Sequence, residues 1–317
     1  MSWPPISKFD LSLPVSSGPR RWLTTAFKAI VSLGLLAYLF SQIDVRSVGR
    51  SLQNLHAGYF ILAWVAYFGL QFAGVLRWRI MVRIQGYEHP FGRLTAFHFI
   101  GLFFNLFLPT SIGGDLGKCY YLAESRADVL RAMATVLADR ISGMVAVLGI
   151  ASAAIWAGRS VVIPVWMTVV TLGGAGLLAL GLLLPFGFPG LLRKYVLPYR
   201  YWENPRFLAV SLALSFIIQL AMVVIHMLIG RAVGVSVPWE FYFVFVPLVS
   251  VAGMIPISLN GLGVREGAYV YFLAQAGVSA PPAMAFAVLF LFLITGLNVL
   301  GGLGWVLLSG PVPSVKT

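Results

Sequence analysis

The sequence predicts an all-α polytopic membrane protein: six transmembrane helices and two re-entrant helical hairpins, arranged as an inverted repeat. Three observations lead there. The chain is 59% hydrophobic and only 10% charged, with a mean hydropathy of +0.90 over 317 residues, whereas soluble domains carry about 25% charged residues. Several apolar runs reach the roughly 20 residues needed to cross about 30 Å of hydrocarbon. Two of the apolar stretches, 147 residues apart, are broken in the same way. The first reads Leu108-Pro109-Thr110-Ser111-Ile112-Gly113-Gly114-Asp115-Leu116-Gly117-Lys118; the second reads Ile255-Pro256-Ile257-Ser258-Leu259-Asn260-Gly261-Leu262-Gly263-Val264-Arg265-Glu266. Proline removes a backbone donor and glycine opens strained backbone angles, so both interrupt a helix. In hydrocarbon, a broken helix survives only inside protein or against a watery cavity. Paired breaks of this kind point to the binding site of a transporter.

Residues 1–21, rich in proline and serine, read as a flexible cytoplasmic tail. The first membrane repeat occupies 22–156. Its spans are Trp22–Ile43, Tyr59–Leu76 and Ala132–Trp156, and the hairpin at 94–122 lies between the last two. The arm Leu94–Leu108 breaks at Pro109, and Asp115–Leu122 is too short to span alone. The second repeat occupies 157–309, with spans Val161–Leu184, Phe207–Ile229 and Ala283–Leu308 and a hairpin at 241–276. Shifting the first half by 147 residues lays each of its elements on one of the second half, although residue identities outside the breaks match poorly. A second tail, 310–317, is also cytoplasmic in this scheme. The rival scheme lets each broken segment span fully.

Charge gives the orientation. With the N-terminus inside, the inner segments hold Lys8, Arg20, Arg21, Arg77, Arg79, Arg83, Arg93, Lys118, Arg126, Arg131, Arg193, Lys194, Arg200, Arg206 and Lys316. The outer loops hold Arg46, Arg50, Arg159 and Arg231, a split of 15 against 4 that fits the positive-inside rule. The net charge of +12 therefore reads as a cytoplasmic and lipid-facing feature rather than a nucleic-acid surface. The single Cys119 excludes an intramolecular disulfide and a cysteine-built metal site. No metal-ligand spacing, nucleophile elbow, phosphate loop or dinucleotide fingerprint occurs, so neither an enzyme nor a cofactor is expected.

Lys28, Arg140 and Arg265 fall at membrane depth, and Asp115, Asp139 and Glu266 lie within or beside apolar segments. Such groups are costly in the membrane and are usually paired or functional. Asp139 and Arg140 are adjacent, point about 100° apart on a helix and must seek partners elsewhere. The candidates are Arg265 for Asp139 or Asp115, and Glu266 for Arg140. One reading is a buried ion-pair network that locks the hairpins to the spans. The other is that at least one cation grips an anionic head group, a task suited to the planar fork of arginine. Helix fragments starting near Gly114 and Gly263 would add backbone donors. Asn105, Ser111, Ser258 and Asn260 would either add hydrogen bonds to a ligand or satisfy the broken backbone. Arg77, Trp78 and Arg79 read as interfacial anchors, His98 and His226 as satisfied core residues, and Gln71 and Gln219 as interhelical bridges.

Arg77-Trp78, the Asn105 to Asp115 segment, Asp139-Arg140 and Gly261-Leu262-Gly263-Val264-Arg265-Glu266-Gly267 together resemble the lysylphosphatidylglycerol synthase transmembrane family over about residues 22–309. These flippase-like proteins include the membrane half of the multiple peptide resistance factor. The resemblance implies that the membrane region of two-part relatives moves an aminoacylated phospholipid between leaflets; with the arginines above, the expectation here is a lipid translocase of a bacterial inner (plasma) membrane that moves an anionic or phosphate-bearing lipid. The synthase domain of two-part relatives is expected to be absent from these 317 residues. The substrate-binding residues it implies are Arg140, Arg265, Asp139, Glu266, Asp115, Asn105, Ser111, Ser258, Asn260 and Lys118. Lys118 departs from the arginine that phosphate gripping would favour. Membrane lipids are the expected partners, with oligomers and a lipid-modifying enzyme or glycosyltransferase as further candidates. The alternatives are a scaffold for such an enzyme, or a small-solute or ion carrier.

Overall fold

The computed structural model describes residues 19–42, 45–107, 113–123, 128–157, 165–187, 204–254 and 258–308. Among these residues all regular structure is helical. The helices are α1 (Pro19–Gln42), α2 (Val45–Gln53), α3 (Ala57–Ile84), α4 (Phe91–Phe107), α5 (Gly113–Leu122) and α6 (Val129–Ala157). They continue with α7 (Val165–Gly187), α8 (Pro205–Ala232), α9 (Trp239–Met254), α10 (Val264–Gln275) and α11 (Ala280–Leu308). A 3₁₀ turn at Leu259–Gly261 precedes α10.

Among the described residues four helices are long and apolar enough to cross a membrane: α3, α6, α8 and α11. Their outward faces carry exposed Leu62, Val65, Leu137, Ile217, Val224 and Phe292. In water such a surface would be unstable; against acyl chains it is at equilibrium, because backbone groups are satisfied within each helix. The chain is an integral membrane protein.

Element lengths repeat. Helices α3 and α8 each have 28 residues, and α6 and α11 each have 29. The offset is not the uniform 147 expected. Pro205 opens α8 148 residues after Ala57 opens α3, and Ala280 opens α11 151 residues after Val129 opens α6. The extra residues fall in the second break, where the 3₁₀ turn sits.

Packing follows the same pairing. α3 packs along α8; α4 packs on α11, and α9 packs on α6. Each broken segment thus leans on the last long helix of the other half. Close approach is built in by glycine: a side chain at Gly301 would meet the Phe99 carbonyl at 2.5 Å, where α11 crosses α4. The larger core lies among α8 to α11 and is aromatic, with Tyr269 in ring contact with Phe245, Phe286 and Phe290. A smaller core around Trp78, Leu94 and Leu122 lies under α4 and α5.

Two expectations change here. The loop at 44–58 contains α2, whose buried Val48 faces the core while Arg46 and Arg50 stay exposed. Helix α3 runs on past Leu76 to Ile84, so Arg77, Trp78 and Arg79 sit inside it rather than at its edge. Charge does not stop a helix when the charged side chains find partners, and Arg77 does.

Candidate functional site

The first break lies between α4 and α5. Residues 108–112, including Pro109 and Ser111, lie outside the described residues. On its far side α5 opens at Gly113, and Gly114 presses against α4, where a side chain would overlap the Gly101 carbonyl. The Gly114 N–H, one of the orphan donors of a new helix, donates to Asn105 Oδ1 at 2.8 Å. Asn105 therefore satisfies broken backbone. Asp115 follows in the first turn of α5, where the helix dipole favours a carboxylate.

Asp115 is the centre of a charged cluster. Arg140 on α6 donates to its Oδ2 through Nε at 2.7 Å and lies within 2.5 Å through Nη2. Lys118, one turn along α5, stands 3.6 Å from Oδ1, with its Nζ 5.6 Å above the Trp78 ring. Asp139, beside Arg140 on α6, takes a two-pronged bond from Arg77: Nε to Oδ1 at 2.7 Å and Nη2 to Oδ2 at 3.0 Å. Arg77 Nη1 also donates to Ser215 on α8 at 3.1 Å, so one guanidinium ties three helices. Trp78 is buried and donates to Thr135 at 3.1 Å.

These partners replace those expected. Asp115 pairs with Arg140 rather than Arg265, and Asp139 with Arg77 rather than Arg265. Arg77 is engaged by Asp139 and Ser215 within the bundle. It was missed because the predicted span stopped at Leu76; it lies seven residues before the end of α3, about 10 Å inside at 1.5 Å per residue.

The second break lies between α9 and α10. Residues 255–257, with Pro256, lie outside the described residues, as does the side chain of Asn260. Gly261 and Gly263 have positive φ, 77° and 84°, which only glycine adopts cheaply. Glu266 does not reach Arg140. It folds back and accepts the Gly263 N–H at 2.6 Å, capping its own helix. Ser32 on α1 accepts the Leu259 N–H at 2.8 Å, and a side chain at Gly263 would meet Leu35 Cβ at 2.8 Å. Helix α1 therefore lies directly on this break. Arg265 is half-buried, its Nη2 3.2 Å from where a Gly261 Cβ would stand and its Nε 3.3 Å from that of Gly253. Ser258 is buried, and its hydroxyl has no hydrogen-bond partner.

The structure thus gathers Asn105, Asp115, Lys118 and Arg140, with Asp139 alongside, at the first break, and Ser258, Arg265 and Glu266 at the second. The family described as the lysylphosphatidylglycerol synthase TM region matches residues 25–302. The chain belongs to that family. The match takes in both breaks and every charged group just described. No curated protein sequence matches the chain. For a lysylphosphatidylglycerol synthase transmembrane region, a link to lipid handling follows, and two charged helix breaks inside an apolar bundle are suited to it: they hold cations and backbone donors where hydrocarbon offers none.

His226 is a satisfied interior group, as expected, whereas His98 is only half satisfied: its Nδ1 is buried without a partner. His98 bonds Gln71 at 3.1 Å across α4 and α3, and His226 bonds Tyr269 at 2.7 Å and the Met222 carbonyl at 2.7 Å.

Proposed function

We propose that the protein is a non-enzymatic lipid translocase that moves an anionic or phosphate-bearing lipid between leaflets. The fold underlying this reading has six spans, α1, α3, α6, α7, α8 and α11, and two re-entrant pairs, α4–α5 and α9–α10, in inverted halves with cytoplasmic termini. The matched helix lengths and the reciprocal packing of each broken segment on the other half support it. Labels on cysteines replacing Ser47 and Lys316, introduced after removal of Cys119, should react from outside and from the cytoplasm respectively.

The observation that carries the function is the state of Arg140. It is anchored to Asp115 beside a helix break, yet its side chain is 34% exposed, against 10% for Asp115, 12% for Lys118 and Arg77, and 18% for Asp139. Its neighbours are committed and covered; Arg140 is held in place and reachable. A phosphate can join or exchange with Asp115 on the guanidinium, because both oxyanions fit the same fork. Arg265, half-buried at the second break, is the matching group there.

The test is lipid scrambling in liposomes. Lysine at either position keeps the charge and removes the fork. Arg140→Lys and Arg265→Lys should each slow movement of a labelled anionic phospholipid on the order of tenfold, as expected for loss of one or more charged hydrogen bonds. Wild-type rates in both variants would refute the head-group role and leave the charges as structural ties.

A further inference from the structure

One face of α3 runs toward the first break. Tyr67, Gln71, Gly74 and Trp78 fall within one narrow stripe at 100° per residue. Each level of that stripe meets a different polar group. The Tyr67 carbonyl accepts from the Gln71 amide at 3.3 Å. Gln71 holds His98, whose ring lies over Gly74, with Cε1 3.9 Å from a Cβ built there. Trp78 lies under Lys118 from the first break. From Tyr67 to Trp78 is 11 residues, about 16 Å at 1.5 Å per residue.

His98 is 9% exposed and unevenly satisfied. Gln71 Nε2 donates to the Tyr67 carbonyl at 3.3 Å, which turns Gln71 Oε1 toward His98. His98 Nε2, 3.1 Å from that oxygen, must then be the donor. In the ordinary neutral ring, Nδ1 is left as a bare acceptor, and it is buried without a partner. A buried acceptor with no donor is costly. It is explained if a donor arrives with the substrate.

We infer that His98 is a specificity-determining residue of the translocation path, its Nδ1 accepting a hydrogen bond from a hydroxyl or ammonium group on the lipid head group while Lys118, packed on the same helix at Gly101, draws the phosphate. This rests on the lipid-translocation reading above. It adds a chemical class: the head group carries a hydrogen-bond donor beyond its phosphate.

The experiment compares two labelled lipids of equal charge in the same proteoliposomes of phosphatidylcholine. Phosphatidylglycerol offers two hydroxyl donors beyond the phosphate; phosphatidylmethanol offers none. Wild-type protein should move the first about three- to tenfold faster, the effect of one hydrogen bond. His98→Gln can keep a donor toward Gln71 but lacks the Nδ1 acceptor, and its ratio should fall to near one. His98→Asn places an oxygen close to the Nδ1 position and should keep a preference. Because both lipids are read on one preparation, the ratio does not depend on how much variant folds. A wild-type ratio near one, or a preference that persists in His98→Gln or vanishes in His98→Asn, would overturn the role of His98 alone. If wild-type protein moves neither lipid, the translocase reading itself falls and takes this inference with it.

Discussion

Asp115 and Glu266 occupy the same place in the two halves. Each is the third residue of the helix that follows a break, α5 and α10, and each meets the positive end of that helix. Their partners differ. Asp115 reaches out to Arg140 and Lys118, whereas Glu266 turns back onto Gly263 N–H. The reason lies in the facing helices. At 151 residues beyond Asp139 and Arg140, α11 carries Phe290 and Leu291; at 148 residues beyond Arg77, α8 carries Ile225. Where the first half has ion pairs, the second has aromatic packing, with Phe290 4.3 Å from the His226 ring. Around these two carboxylates, one backbone plan is supported by ion pairs in the first half and by a helix cap and apolar contact in the second. Ion pairs can trade partners with a phosphate; ring stacks cannot.

The sharpest way to break this comparison is to remove one carboxylate charge from each half. Asp139→Asn strands Arg77, whose side chain is only 12% exposed. The loss should be about 3–5 kcal/mol, the range for breaking a buried pair. Glu266→Gln keeps an acceptor oxygen for Gly263 N–H and should cost about 1 kcal/mol or less, the scale of a cap. Thermal unfolding in detergent reads both. Equal losses would mean that the second half is as ionic as the first.

Much of this was legible in sequence. Proline with clustered glycine marked both breaks, and long apolar runs marked the spans, because backbone chemistry and hydrocarbon thickness act locally. The partners of the charges were not legible. Arg140 could have met Glu266 by charge alone; that it meets Asp115 depends on α5 crossing α6, which no local pattern encodes. Arg77 was hidden because a cluster of arginines reads as a membrane edge, although the helix continues. The extra residues of the second break were hidden because the matching prolines and glycines favoured a single offset. Helix α2 is nine residues long and mostly polar, and it is visible only once α11 is there to receive its apolar edge.

Glycine substitutions sharpen the comparison from the other side, since the steric need is shared. Gly114→Ala would drive a methyl into the Gly101 carbonyl, and Gly261→Ala would bring one to 2.8 Å from the Gly253 carbonyl. Each should cost about 1–3 kcal/mol by overpacking, with positive φ adding about 1–2 kcal/mol at Gly261. Unfolding midpoints should therefore fall in both halves. A silent Gly114→Ala would show that the first break is looser than its contacts imply.

Ser32→Ala tests the support given by α1. It removes the acceptor for Leu259 N–H, and Ser32 is fully buried. A loss of about 1 kcal/mol is expected, with proteolysis at the second break enhanced and the first unaffected. Equal enhancement at both breaks would mean that α1 stabilises the bundle as a whole.

The smallest effect concerns the turns after α3 and α8, which share a shape but not a chemistry. Gly86 and Gly234, 148 residues apart, both have positive φ, 87° and 73°. The next residue closes each turn: Tyr87 N–H to the Val82 carbonyl at 3.2 Å, and Val235 N–H to the Gly230 carbonyl at 2.8 Å. Tyr87, however, carries a hydroxyl that donates to Asp128 at 2.6 Å, just before α6 begins, while Arg131 stacks 4.9 Å over its ring. Burial, and then the bond and charge of Asp128, raise the Tyr87 phenol above its ordinary 10.0. In the unfolded chain the phenol loses its proton near pH 10; in the folded protein it keeps it longer. The folded state thus gains from Tyr87 in full below about pH 10, and that gain is lost as pH rises beyond it. Tyr87→Phe should remove this part of the alkaline destabilisation, so wild-type and variant midpoints, which differ at pH 8, should begin to draw together above about pH 10 with a gap still open at about pH 11. Val235→Tyr, placed in the matching turn, should create no such slope unless an acceptor stands there. Parallel midpoints for wild type and Tyr87→Phe across this range would show that the tie to α6 is not made through the phenol.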